Sequence, residues 1–319
     1  MKQKVVVFSQ IDPVILAQLK AQFNVVEINP KLGDVNQQIA HAVTDADAMI
    51  GAGRLLNQSN LASATRLKVI SSVSVGYDNY DVAYLKQRNI VLCHTPGVLT
   101  ETTADLAFAL LMSAARKVVS LDAWTKAGQW HKTVGPALFG QDVFGKKLGI
   151  IGLGDIGAAI ARRGFYGFNM PVLYHSRHEK PEIALPLQAQ YCDLDYLLQH
   201  ADFVVVAVDL NPESQALIGS AQFAMMQKHT IFINISRGAV VDEAALIHAL
   251  ETQQIYAAGL DVYAKEPLQH SPLFALNNVA TLPHVGSATA ATRLKMSQLA
   301  YQNLVDVLAG KTPPYCVNA

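Results

Sequence analysis

The chain has 319 residues, 51% of them hydrophobic and 16% charged, which is too apolar for a disordered protein and long enough to bury the cores of two ordinary domains. Lys plus Arg and Asp plus Glu balance at 25 each, so no global field favours nucleic acid, an anionic membrane or a polycationic partner, and any anion must be bound locally. Three cysteines (Cys93, Cys192, Cys316), an odd number without CxxC spacing, suggest neither a disulfide framework nor a zinc site, and the start MKQKVVVFSQ lacks a signal-peptide pattern, so the expectation is a soluble, cytoplasmic protein without metal.

In chain order, short β-rich runs at residues 5–8, 25–28, 48–50, 69–73 and 90–93 alternate with helix-like stretches, the rhythm of βα units around a parallel sheet. Residues 100–119, TETTADLAFALLMSAARKVV, predict a helix with a threonine at its start and apolar residues so dense that most of its sides need cover, from a second domain or a second subunit. After a glycine-containing stretch at 128–145, with Trp124 and Trp130 beside it, the rhythm restarts. Strands are predicted at 148–151, 171–174, 203–207, 231–235, 255–259 and 279–282, the pattern of a Rossmann-type sheet. A last helix over 288–308 falls too late for that alternation and is expected to return to the first domain. The predicted organisation is thus α/β, two doubly wound parallel-sheet domains: a discontinuous substrate domain at 1–98 and 286–319, and a nucleotide domain inserted at 99–285.

Gly152, Gly154 and Gly157 follow the apolar run 148–151 and open a helical stretch. The first glycine permits the tight turn, the second lets backbone approach a pyrophosphate, and the third lets helix and strand pack closely, while helix N-terminal amides hold the phosphates. About twenty residues on, where an NAD enzyme carries a carboxylate for the ribose hydroxyls, stand Tyr174, His175, Ser176, Arg177 and His178. An arginine beside a serine suits a 2′-phosphate, which predicts NADP(H) as the preferred cofactor with NAD(H) possible. His175 and His178 are expected to face solvent.

Three further segments, ISRGAVVDEAAL at 235–246, AAGLDVYAKEPL at 257–268 and LPHVGSAT at 282–289, end or follow predicted strands, so Arg237, Glu266 and His284 can converge beyond the carboxyl ends of one sheet. Together with GLGDIG they resemble the D-isomer-specific 2-hydroxyacid dehydrogenase family, over essentially the whole chain. SVGYDN at 74–79, HTPGVLTETTAD at 94–105 and GFNMPVLYHSR at 167–177 are similar to its bacterial glyoxylate/hydroxypyruvate reductase branch, some members of which also reduce 2-ketogluconate. The resemblance implies a Rossmann nucleotide domain inserted into a flavodoxin-like substrate domain, and hydride transfer between a nicotinamide and a small 2-oxo acid.

By that resemblance, Arg237 binds the substrate carboxylate and polarises the reacting carbonyl, a task for which a planar cationic fork is suited. His284 is the general acid, since imidazole titrates near working pH, and Glu266 orients it and favours its charged form. The amides of Val75 and Gly76 give a second carboxylate anchor. Asp155 and Ile156 meet the pyrophosphate, Ile235 lines the nicotinamide pocket, and Asp261 lies near the carboxamide. A homodimer through the helix at 104–115 and the loop after it is implied as well. Val208, Asp209 and Leu210 stand where many relatives have a proline. Competing expectations are an NAD-dependent dehydrogenase of phosphoglycerate or another substrate, and a non-catalytic dinucleotide-sensing corepressor.

Overall fold

A computed structural model of the chain describes residues 2–318. In chain order the elements are β1 Lys4–Val7, α1 Pro13–Gln22, β2 Asn24–Glu27, α2 Val35–Ala42, β3 Ala48–Gly51, α3 Gln58–Leu61, β4 Val69–Ser72, α4 Val82–Gln87 and β5 Val91–Cys93. There follow α5 Thr100–Ala115, α6 Val118–Lys126, β6 Leu148–Ile151, α7 Asp155–Phe168, β7 Val172–His175, α8 Pro181–Ala184, β8 Gln190–Tyr191 and α9 Leu194–His200. The chain ends with β9 Phe203–Val206, α10 Ser220–Met225, β10 Ile231–Asn234, α11 Glu243–Glu251, β11 Ala257–Leu260, β12 Val279–Thr281 and α12 Ala290–Leu308. By internal contacts it divides into two compact units, one comprising the residues up to Leu99 together with those from Ser287, the other Thr100–Gly286.

The first unit is built on an all-parallel sheet in the order β2-β1-β3-β4-β5, the flavodoxin-like winding. Its inner strands β1, β3 and β4 are buried on both faces, as apolar runs such as VVV in β1 require, while the edge strand β2 stays partly exposed. One face packs Ile39, Leu61 and Leu85; the other packs Ile15 and Leu19 of α1 with Met296, Ala300 and Leu304 of α12. The late helix thus supplies half a core to the first unit, and Ser71 Oγ donates to Ala300 O at 2.7 Å. The C-terminal segment covers the free edge of β5: Val317 N–H donates to Leu92 O and His94 N–H to Tyr315 O, while the Asn318 side chain bonds Leu92 N and Ile90 O.

The second unit has the order β12-β11-β10-β9-β6-β7-β8, again all parallel, which reverses direction between β6 and β9 as a Rossmann sheet does. Two-residue β8 is too short to show as a period in sequence. The helix expected over 100–119 is broken. Lys117 takes a left-handed conformation (φ 55°), and the chain at 140–141 crosses the end of α5 so closely that Gln141 N–H donates to Ala115 O at 2.8 Å. That donor satisfies a helix-end carbonyl that would otherwise be orphaned. Toward the sheet, α5 buries Ala107, Leu110, Leu111 and Ala114, and Gly259 of β11 makes room for Leu110. Among the described residues no helix is long and apolar enough to cross a membrane.

Candidate active site

In the second unit the singled-out residues sit at the carboxyl ends of β6, β7, β10, β11 and β12. The three glycines after β6 have distinct reasons to be glycine. Gly152 adopts φ +98°, and a Cβ there would stand 2.6 Å from Ala207 O. At Gly157 a Cβ would meet Gly152 O at 2.0 Å, so the helix could not seat against the turn. Gly154 has nothing within 4 Å of the same position: its missing side chain leaves open space above the backbone. Gly154 is also the N-cap of α7, and no side chain caps that helix, so the first-turn amides at Asp155, Ile156 and Gly157 have neither an intrahelical acceptor nor a capping oxygen.

At the end of β7, Ser176 Oγ accepts from Leu153 N–H at 2.9 Å, tying the strand end to the glycine turn while its own hydroxyl proton stays available. Arg177 projects into solvent, its Nη1 3.6 Å from Glu213 Oε2, with both side chains 74% exposed. His178 is exposed, but His175 departs from expectation: it is half-buried, with Nδ1 3.1 Å from Cys192 O. Asp209 is exposed, and its backbone carbonyl accepts from Ser214 Oγ.

After β10, a buried asparagine not singled out in the sequence shapes the turn. Asn234 Oδ1 accepts from Ser236 N–H and Oγ, and its Nδ2 donates to Arg237 O at 3.1 Å. Gly238 follows because a Cβ there would lie 1.8 Å from the carbonyl carbon of Tyr263. The turn is thereby pressed against the segment that leads to Glu266, and the positive charge of Arg237 acts on the Glu266 carboxylate. Ile235 is buried beside it, 8% exposed.

Asp261 is 1% exposed at the end of β11, and its carboxylate accepts from Val285 N–H at 2.7 Å and Gly286 N–H at 2.8 Å. Burial pushes its carboxyl above the ordinary range despite those bonds and the nearby His284. The residue just before the gripped amides, His284, has φ +53°, a conformation costing roughly 1 kcal/mol or more for a residue with a side chain. Asp261 therefore clamps the loop that presents His284.

His284 Nδ1 lies 2.7 Å from Glu266 Oε2, and the other oxygen of Glu266 accepts from Tyr263 N–H at 3.0 Å. Partial burial pushes the Glu266 carboxyl up, but the His284 and Tyr263 bonds and the charges of His284 and Arg237 outweigh it, and the net shift is downward. Because a carboxylate only accepts, Nδ1 carries the proton and Nε2 is the atom left for other chemistry. Val75 and Gly76 belong to the first unit, partly exposed in the loop after β4.

An imidazole held by a carboxylate, an arginine on a stiff turn and an uncapped glycine-opened helix lie on one Rossmann sheet, and comparisons with known proteins identify the family. The family model described as D-isomer specific 2-hydroxyacid dehydrogenase, NAD binding domain, matches residues 108–286. Glyoxylate/hydroxypyruvate reductase B of Citrobacter koseri is 47% identical over 319 residues, 100% of this chain and 98% of that protein. The chain belongs to the D-isomer-specific 2-hydroxyacid dehydrogenase family.

Within that family, the same-named reductase of Klebsiella pneumoniae (strain 342) is 46% identical, covering 100% of this chain and 99% of its own length. Among solved structures, the NADPH-dependent glyoxylate/hydroxypyruvate reductase of Sinorhizobium meliloti in complex with NADP and malonate matches at TM-score 0.88 and 30% identity, over 99% of this chain and 97% of that one. This dehydrogenase is an NAD(P)-dependent oxidoreductase built as two parallel-sheet α/β domains. Its residues fit a dinucleotide: the open space over Gly154 and the uncapped amides of α7 form a cradle for a pyrophosphate.

Proposed function

We propose that this dehydrogenase works in the cytoplasm as an NADPH-preferring reductase of small 2-oxo acids (glyoxylate, hydroxypyruvate and 2-ketogluconate), yielding D-2-hydroxy acids. The observation that carries the proposal is the 2.7 Å contact of His284 Nδ1 with Glu266 Oε2, which holds a proton-carrying imidazole in one tautomer.

Gly152, Gly154 and Gly157, with the amides of Asp155 and Ile156, hold the pyrophosphate, and Ile235 and Asp261 flank the nicotinamide. When bound, the dinucleotide supplies the hydride. Arg237 binds the substrate carboxylate and draws electron density from the reacting carbonyl. His284 delivers a proton from Nε2 to the carbonyl oxygen as the alkoxide develops, and takes it back in the oxidative direction. Glu266 stabilises the imidazolium before the transfer and keeps the ring aligned after it. The Val75 and Gly76 amides secure the carboxylate.

Ser176 and Arg177 receive the 2′-phosphate of NADPH. The resting ion pair of Arg177 with Glu213 is long and solvated, so it costs little to exchange for a dianionic phosphate. The S. meliloti reductase, described as NADPH-dependent, supports this preference.

A homodimer forms through α5, α6 and the loop after them. Val118, Val119, Trp130, Phe139 and Phe144 are each more than half exposed there, apolar side chains that a partner subunit would cover. Sedimentation at micromolar concentration reads the assembly. Parallel assays of NADPH and NADH oxidation against the three 2-oxo acids test the activity: rapid NADPH consumption is expected, and no turnover with any acid despite dinucleotide binding would overturn the proposal.

A further inference from the structure

Resting on the carboxylate role just given to Val75 and Gly76, we propose that His94 is a positioning residue that aims those two amides at the substrate. A trans peptide is planar, so the carbonyl of one residue and the N–H of the next point in opposite directions. Two consecutive carbonyls of the loop after β4 are tethered to the segment leaving β5: Ser74 O accepts from Thr95 N–H at 2.9 Å, and Val75 O accepts from His94 Nδ1 at 2.9 Å. The N–H groups sharing those two planes belong to Val75 and Gly76, and both must face away from residues 94–95. Among the described residues, neither amide has a hydrogen-bond acceptor.

The next carbonyl is held too: Gly76 O accepts from Ser74 Oγ at 2.7 Å, and Ser74 Oγ lies 2.6 Å from Ser72 Oγ, which accepts from Tyr80 OH. Three successive carbonyls are thus engaged on the protein side, and the amides are presented as a fixed pair of donors. Two N–H groups turned to the same side offer a carboxylate a pair of donors. A carbonyl that accepts a hydrogen bond also polarises its peptide, making the attached N–H a stronger donor.

His94 is itself firmly placed. Its N–H donates to Tyr315 O at 3.2 Å, its carbonyl accepts from Asn303 Nδ2 at 3.0 Å, and its ring stands edge-on to Tyr77, centroids 5.6 Å apart at 81°. Of the two tethers that set the amide direction, Thr95 acts through its backbone and His94 through its side chain, so His94 is the one a substitution can remove.

The test compares side chains that differ in the donor. In Asn the Nδ2 group occupies the place of Nδ1, whereas Asp has the same shape and no donor, and Leu has neither. His94→Leu and His94→Asp are expected to raise the KM for glyoxylate and hydroxypyruvate roughly three- to tenfold, the worth of one hydrogen bond. The KM for NADPH and the melting temperature should stay at wild-type values, and His94→Asn should fall within about twofold of wild type on the same scale. Binding of oxamate, an unreactive 2-oxo acid analogue, to the NADPH-loaded protein should weaken in the same order. If Leu fails to fold, the Asn/Asp pair decides.

An unchanged acid KM in Leu or Asp, an Asn variant as impaired as Asp, or losses spread equally over NADPH KM and thermal stability would each overturn the positioning role while leaving the 2-oxo acid reductase intact. Wild-type protein that neither turns over these acids nor binds oxamate overturns both.

Discussion

Nδ1 of His284 lies 2.7 Å from Oε2 of Glu266, and the same carboxylate takes the N–H of Tyr263 through its other oxygen, so the acid that holds the imidazole is itself held by backbone. Glu266→Gln keeps the shape and removes the charge. We expect kcat/KM to fall by no more than the roughly 10²–10⁴-fold that a positioned acid contributes. The Glu266 carboxyl is held below its ordinary 4.5, so its anionic form is present above that pH and is lost only as pH falls through the lowered value. An acid limb belonging to Glu266 therefore lies below pH 4.5 in the wild type and disappears in the Gln variant. Profiles of kcat/KM against pH that coincide would refute the assignment.

Asp261 and His284 form the second support. With Asn at 261, one of the two amides of Val285 and Gly286 faces an NH2 group instead of an oxygen, a mismatch of about 1–3 kcal/mol in a buried place. Asp261→Asn is expected to lower the melting temperature and, by releasing the left-handed His284, to lower kcat. Thermal unfolding alongside steady-state kinetics reads both; a fall in stability with kcat intact would separate the clamp from His284.

The exposed pair Arg177 and Glu213 predicts opposite effects from its two members. Arg177→Asp should raise the KM for NADPH at least tenfold while changing that for NADH little, since a charge-assisted bond to phosphate is worth about 1.5–3 kcal/mol. Glu213→Gln should lower the NADPH KM modestly by freeing the guanidinium. Equal effects of Arg177→Asp on both cofactors would count against a 2′-phosphate site.

The glycines after β6 separate packing from ligand approach. Gly157→Ala places a Cβ 2.0 Å from Gly152 O and is expected to cost at least the roughly 1–3 kcal/mol of an overpacked core. Gly154→Ala meets nothing within 4 Å, so the fold should keep its melting temperature while dinucleotide binding weakens. Titration of NADPH into the Gly154→Ala protein, with its unfolding curve, checks the pair; loss of stability without loss of affinity would reverse the roles.

Much of this site is visible in the sequence because its signals are local. A glycine turn between an apolar strand and a helix, and motifs closing successive strands, need no knowledge of what packs against them. The supports are different. Asn234 and Asp261 act on residues that the fold brings beside them, Arg237 across a tight turn and the Val285–Gly286 amides across 24 and 25 positions of sequence. Nothing in composition or period marks a carboxylate as a clamp. The break between α5 and α6 is hidden for the same reason: residues 100–119 contain no Gly or Pro to mark a stop, and the carbonyl at the break, Ala115 O, is taken by Gln141 N–H from outside the helix. The strand at 190–191 and the Arg177–Glu213 pair are likewise set by neighbours in space.

The most direct measurement is a single-turnover reduction of hydroxypyruvate by NADPH-loaded wild-type protein and by His284→Gln, with NADPH affinity measured on both. We predict rapid NADPH oxidation in the wild type, a rate roughly 10²–10⁴-fold lower in the variant, and equal affinity for the dinucleotide. A variant that reduces hydroxypyruvate at the wild-type rate would contradict the assignment of His284 as the proton donor.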